Sequence, residues 1–269
     1  MRIFLCVMAL SPILSFSSAQ EISQLPDREH FYLVVLAGQS NMAGRGKIEP
    51  EDRVPHPRVW MLNQAGEWVP AVEPVHFDKS AAGVGLGRTF GIRLAESDPN
   101  IAVGLIPTAC GGSSIRHWEP GVFWHQTNSY PYDDCLRRVK KGLESGKLAA
   151  ILWHQGESDC QAAMAPLYEA KLRQLFQRFR QEWDAENVPI LVGELERRPG
   201  DVWREKITEA QKRVVREMAA SQHPAAFVSS EGLTMNPDKI HFDRASLLLF
   251  GERFWSAWQK LPSPHVSEK

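Results

Sequence analysis

The chain has 269 residues, 43% of them hydrophobic and 23% charged, and its 31 Lys+Arg against 32 Asp+Glu give a formal net charge of -1. Those proportions exclude collagenous, disordered, disulfide-dense and polytopic membrane classes. A near-neutral chain without a basic block also lacks the means to capture nucleic acid or an anionic membrane by charge.

Residues 1–19 read as a secretory leader: Arg2, an apolar run from Ile3 to Phe16 broken by Ser11 and Pro12, then the small residues Ser17, Ser18 and Ala19. The run falls short of the roughly 20 apolar residues that span a bilayer. We therefore expect export to the periplasm or beyond, no stable membrane insertion, and a single domain over residues 20–269. Cleavage near Ala19 removes Cys6 and leaves Cys110, Cys135 and Cys160, enough for one disulfide and a thiol or for three buried thiols. None belongs to a C-x-x-C pair, which argues against a thiolate zinc site.

Five short apolar runs follow, at Phe31 to Ala37, Ile101 to Ile106, Leu148 to Trp153, Val188 to Val192 and Ala225 to Val228. Continuous rather than alternating hydrophobicity suits parallel strands buried on both faces. Helical periodicity lies between and after them, most clearly through Met164, Leu167, Tyr168, Leu172, Leu175, Phe176, Phe179 and Trp183. Leu136 to Leu143, Ile207 to Met218 and Leu247 to Trp258 repeat the pattern. Alternating strands and helices predict an α/β fold in three α/β/α layers, with a doubly wound parallel five-stranded sheet. The stretch from Ile48 to Leu86, rich in Pro, Gly and Trp, has no sustained period and is expected to be a long loop bordering the site.

Ligands of open α/β sheets bind beyond the carboxyl ends of the strands, and the residues there carry chemistry. The first run ends in Gly38-Gln39-Ser40-Asn41-Met42-Ala43-Gly44, and the second is followed by Pro107-Thr108-Ala109-Cys110-Gly111-Gly112-Ser113-Ser114. The third ends in His154-Gln155-Gly156-Glu157-Ser158-Asp159, and Asn236-Pro237-Asp238-Lys239-Ile240-His241 precedes the last helix. A serine hydroxyl becomes a nucleophile when an imidazole takes its proton, and a carboxylate then holds the imidazole's tautomer and charge. Ser40 and His241 fit the first two roles. Asp238, three residues before His241, lies within reach of the ring if the chain turns there. The charge developing on a substrate carbonyl oxygen needs fixed donors, for which the candidates are the N–H of Ser40, an N–H of Gly111 or Gly112, and the Gln155 side-chain amide. No G-x-x-x-x-G-K-[ST] phosphate loop is present. Met42 stands where the G-x-S-x-G elbow of α/β-hydrolases would need glycine.

In these motifs and their order the chain resembles the SGNH (GDSL-like) hydrolases. More narrowly, it resembles the sialate O-acetylesterase-like branch that includes the acetylxylan esterases of carbohydrate esterase family 6. The likeness spans Tyr32 to Trp258 and implies a flavodoxin-like sheet and a cofactor-free serine esterase acting on an acetylated carbohydrate. It carries the nucleophile onto Ser40, the base onto His241, and the oxyanion donors onto Ser40, Gly112 or Gly111, and Gln155. For the triad acid it leaves two candidates, Asp238 by the general SGNH pattern and Glu157 by the His-Gln-Gly-Glu motif of this branch. Gln39, Asn41, Arg116 and Trp118 are the candidate substrate contacts, with Trp153 either at a sugar-binding rim or in the core. Rival readings are a non-catalytic carbohydrate-binding module on the same scaffold and an esterase or lipase for another acyl class.

Overall fold

β1 (Phe31–Gly38) lies at the centre of the sheet, hydrogen-bonded in parallel to β4 (Ala102–Pro107) on one side and to β5 (Lys147–His154) on the other. The structure is a computed structural model that describes residues 25–262, so the leader expected at residues 1–19 lies outside the described residues. Beyond β5 the sheet continues in parallel through β6 (Ile190–Gly193) and β7 (Ala225–Val228). All five expected strands are present, in the order β4-β1-β5-β6-β7.

The sheet nevertheless has seven strands, not five. The two additions come from the stretch expected as loop. β2 (Val59–Leu62) pairs in parallel with β4, and β3 (Trp68–Pro70) folds back antiparallel on β2 to form the edge. They escape a periodicity reading because they are only four and three residues long and follow a proline-punctuated run. A helix unannounced by the sequence, α2 (Leu86–Ser97), also follows them. Glycine disfavours a helix intrinsically, yet Gly87 is where α2 meets the sheet, and a Cβ there would lie 2.4 Å from Leu36 Cδ1.

Helices α3 (Pro131–Leu143), α4 (Ala165–Glu182) and α5 (Val202–Ala220) cover one face, packing Val139, Phe176, Phe179 and Ile207 against Leu33, Val35 and Ala37. On the other face α2 and α6 (Arg244–Trp258) pack Phe90, Leu94, Phe250 and Phe254 against Val34 and Leu36. Burial of successive β1 residues on opposite faces is why that run reads as continuously apolar. Each such side chain contributes about 1.5–3 kcal/mol from removal of its surface from water. Cys110, Cys135 and Cys160 are free thiols, and burial pushes each up to about 12, so they behave as small apolar packing groups. Among the described residues no helix is long and apolar enough to cross a membrane.

Because β1 is parallel to both β4 and β5, the carboxyl ends of all three strands lie side by side at one edge of the sheet, at the topological switch point where α/β sheets take ligands.

Candidate active site

The elbow after β1 is forced by contact with β5. Gly38 has φ +140°, and a Cβ on it would sit 2.0 Å from the carbonyl oxygen of His154. Only glycine permits both the backbone angle and that approach. Gln39 N–H then donates to the same His154 oxygen at 2.9 Å, and the short helix α1 (Ser40–Ala43) begins at the serine.

His241 reaches Ser40 from the far end of the chain. Asp238 Oδ1 accepts the backbone N–H groups of Ile240 and His241 at 2.8 and 3.0 Å, curling the turn through Lys239, whose φ is +56°. The other carboxylate oxygen lies 2.7 Å from His241 Nδ1, and His241 Nε2 lies 3.0 Å from Ser40 Oγ. A carboxylate can only accept, so Nδ1 carries the proton and Nε2 is left to accept from the Ser40 hydroxyl. Partial burial opposes the Asp238 charge, but the two backbone N–H donors and the imidazole outweigh it and hold the carboxyl at about 2.

Glu157 has a different partner. Its Oε1 accepts from Asn41 Nδ2 at 2.7 Å and stands 3.7 Å from His154 Nδ1. Asn41 is fully buried, donates also to Ile240 O at 3.3 Å, and accepts from Phe242 N–H at 3.0 Å. Expected as a substrate contact, Asn41 is instead a clamp joining the residue after Ser40 to both neighbours of His241.

The oxyanion candidates separate in the same way. Gly111 N–H is taken by Asp78 Oδ2 at 2.8 Å. The N–H groups of Ser40 and Gly112 have no partner among the described residues, and both residues line the cleft. Gln155 is fully buried below, its amide nitrogen 3.1 Å from Ser113 O, 3.2 Å from Gln39 Oε1 and 2.5 Å from Asp159 Oδ2. The side chain expected as a third donor is therefore committed to the floor of the site. Burial lifts the Asp159 carboxyl to about 6, against the hydrogen bonds from Gln155 and from Ile115 N–H.

The cleft above has a volume of about 600 Å³ and is walled by Gln39, Arg45, Lys79, Ser158, Asn236 and Ile240 around Ser40 and His241. Trp118 and Arg116 are not part of it. Trp118 is 1% exposed, donates to Ser113 Oγ, and meets the fully buried Trp153 edge-to-face at 4.9 Å. Both tryptophans are core residues because each fills the layer between the sheet and α4, and Arg116 is exposed on the adjoining turn. Sequence reasoning missed Arg45, Asp78 and Lys79. Arg45 directly follows the Ser40 motif and was within reach of it, whereas Asp78 and Lys79 lie in the aperiodic stretch, where nothing local marks them.

A sequence profile of the family "Carbohydrate esterase, sialic acid-specific acetylesterase" matches residues 30–260. The chain is similar to a probable carbohydrate esterase of Arabidopsis thaliana, with 27% identity over 250 residues covering 85% of this chain and 89% of the relative. The solved structure of the Arabidopsis protein aligns with a TM-score of 0.74 and 26% identity, covering 85% of this chain and 97% of that one. Two further solved structures share the fold at lower identity. NanS has a TM-score of 0.66 and 17% identity over 88% of this chain and 98% of its own. A carbohydrate acetylesterase from Xanthomonas citri has a TM-score of 0.62 and 18% identity over 85% of this chain and 55% of its own. With a family match running from the start of β1 to the end of α6, the chain belongs to the sialic acid-specific acetylesterase family of carbohydrate esterases and is a carboxylic-ester hydrolase.

Proposed function

We propose that the protein removes O-linked acetyl groups from an acetylated glycan through an acetyl-enzyme on Ser40. The observation that carries this reading is the His241 ring, 3.0 Å from Ser40 Oγ on one side and 2.7 Å from Asp238 on the other. Ser40 Oγ attacks the acetyl carbonyl carbon while His241 Nε2 takes its proton, and Asp238 stabilises the imidazolium that results. The N–H groups of Ser40 and Gly112 receive the negative charge that forms on the carbonyl oxygen. As the tetrahedral intermediate collapses, the ester C–O bond breaks and the imidazolium protonates the departing sugar oxygen. Water then gives a proton to the same imidazole and attacks the acetyl-Ser40 carbonyl, releasing acetate and restoring the hydroxyl.

In this reading Asp238 is the triad acid, and Glu157 is a positioning residue that acts through Asn41. The charged, apolar and small-residue succession of residues 1–19 supports export, which would bring the enzyme to extracellular or periplasmic glycans.

The test is acetate release from a panel of acetylated xylan, acetylated pectin, O-acetyl sialic acids and aryl esters of increasing acyl length. Release from at least one glycan, with turnover falling steeply beyond acetyl among the aryl esters, is the expected result. Equal or better turnover of long acyl chains with no release from any glycan would overturn it.

A further inference from the structure

The glycine pair beside the nucleophile presents one donor to the cleft, and the residues behind it account for which one. The Gly111–Gly112 peptide is a single planar unit containing Gly111 C=O and Gly112 N–H, which point in opposite directions when the bond is trans. Trp124 Nε1 donates to Gly111 O at 3.1 Å, so the carbonyl end of that unit is anchored away from the cleft. The preceding amide is anchored as well, since Gly111 N–H donates to Asp78 Oδ2 at 2.8 Å. Asp78 is in turn held by Arg45 Nη2 at 2.8 Å, in an ion pair whose side chains are 8% exposed for Arg45 and 3% for Asp78.

Arg45 connects this loop to the rest of the machinery. Its Nη1 donates to Gly44 O at 2.7 Å, at the exit of the helix that starts with Ser40. Its own carbonyl accepts from Asn236 Nδ2 at 3.0 Å, at the start of the turn that carries Asp238 and His241. The space behind the loop is also full: a Cβ on Gly111 would sit 2.6 Å from Arg45 Nη2 and 2.7 Å from Asp78 Oδ2. Two adjacent glycines would otherwise allow the peptide to rotate freely, because neither has a side chain to restrict φ and ψ.

We infer that Asp78, locked by Arg45, and Trp124 are positioning residues that together hold the Gly111–Gly112 peptide with its Gly112 N–H facing the oxyanion. The inference rests on the serine-esterase reading above and adds residues that act only through that peptide. A donor turned away leaves the developing charge in the transition state unsupported while ground-state binding of the ester is little affected.

Two variants test the two anchors separately, Trp124→Phe, which removes the indole N–H and keeps an aromatic ring, and Asp78→Ala, which removes both the acceptor of Gly111 N–H and the partner of Arg45. For each, kcat and KM on 4-nitrophenyl acetate are measured per active site, with sites counted by stoichiometric labelling of Ser40. Affinity for a trifluoromethyl ketone, which forms a tetrahedral oxyanion on the serine, is measured alongside. Each variant is expected to lose about 10- to 100-fold in kcat, the scale of a sub-ångström to ångström misplacement. KM should stay within about threefold, and ketone affinity should fall in parallel with kcat. A merely structural role would lower the melting temperature and the number of titratable sites but leave kcat per site unchanged, and that result from both variants overturns the inference. Should one variant fail to fold, the other decides by the same criterion. A wild-type protein without Ser40-dependent acetate release would remove the serine-esterase reading and this inference together, whereas an active wild type beside fully active variants removes the inference alone.

Discussion

Asn41 Nδ2 donates to Glu157 Oε1 across 2.7 Å, so this carboxylate faces the neighbour of Ser40 and not the His241 imidazole. Asp238 holds the imidazole instead, at 2.7 Å from Nδ1. The two acids therefore differ in what their loss does. Asp238→Asn puts an amide opposite Nδ1 and favours the wrong tautomer, which should lower kcat on an aryl acetate by about 10³- to 10⁴-fold. Glu157→Gln keeps an oxygen that can accept from Asn41 and should lose no more than about tenfold, as expected of a residue acting through position. Steady-state kinetics of the two variants in parallel check this, and a larger loss for Glu157→Gln would reverse the assignment.

The acid limb of the pH–rate profile follows from the same geometry. With its carboxyl held at about 2, Asp238 remains ionised throughout any practical assay range. The limb should therefore carry no inflection from the Asp238 carboxyl down to pH 4, and loss of activity in Asp238→Asn should be the same at pH 5 as at pH 8. The carboxyl's contribution to stability has the sign of a depressed acid, present above its ordinary 3.8 and lost as pH falls through about 2.

The Glu73 carboxyl should titrate in stability and not in activity. Glu73 is fully enclosed, and burial raises it from 4.5 to about 7 against hydrogen bonds from Val75 and Gly85 N–H. A raised acid stabilises the fold while it is protonated and ceases to do so as pH climbs through that window. The melting temperature of wild type relative to Glu73→Gln should accordingly fall between pH 4.5 and 7 and level off above. A difference that does not change with pH would contradict it.

Trp118 and Arg116 distinguish a core from a binding rim. Trp118→Ala should cost about 3–5 kcal/mol in denaturant unfolding, the usual range for an aromatic truncation in a packed interior. Arg116→Ala should leave kcat and KM on an acetylated glycan within about twofold. A large KM increase in Arg116→Ala would return that side chain to the substrate.

How much of this was legible in the sequence depended on how locally each feature is encoded. The five apolar runs show because strands buried on both faces, like Phe31–Gly38, have no polar alternation to disguise them. Ser40, Asp238 and His241 stand out because they are residue types suited to acyl transfer, placed at a strand end and in one short turn, and the structure brings the three within hydrogen-bonding reach of one another. β2 and α2 stayed hidden, the first for its brevity and the second because Gly87 and Gly91 lower helix propensity where tertiary packing demands small residues. Trp118 and Gln155 were misplaced for a related reason. Residue type and proximity in sequence to a motif say nothing about which way a side chain points, and both point into the interior. The Arg45–Asp78 pair joins residues 33 positions apart, and no periodicity reports such a contact.

The most direct measurement is turnover of Ser40→Ala on 4-nitrophenyl acetate beside the wild-type enzyme, with circular dichroism to verify the fold. The variant is expected to keep its spectrum and melting temperature and to lose at least about a thousandfold in kcat, since the hydroxyl that forms the acetyl-enzyme is gone. A folded Ser40→Ala protein that hydrolyses the ester at the wild-type rate would contradict the account at its centre.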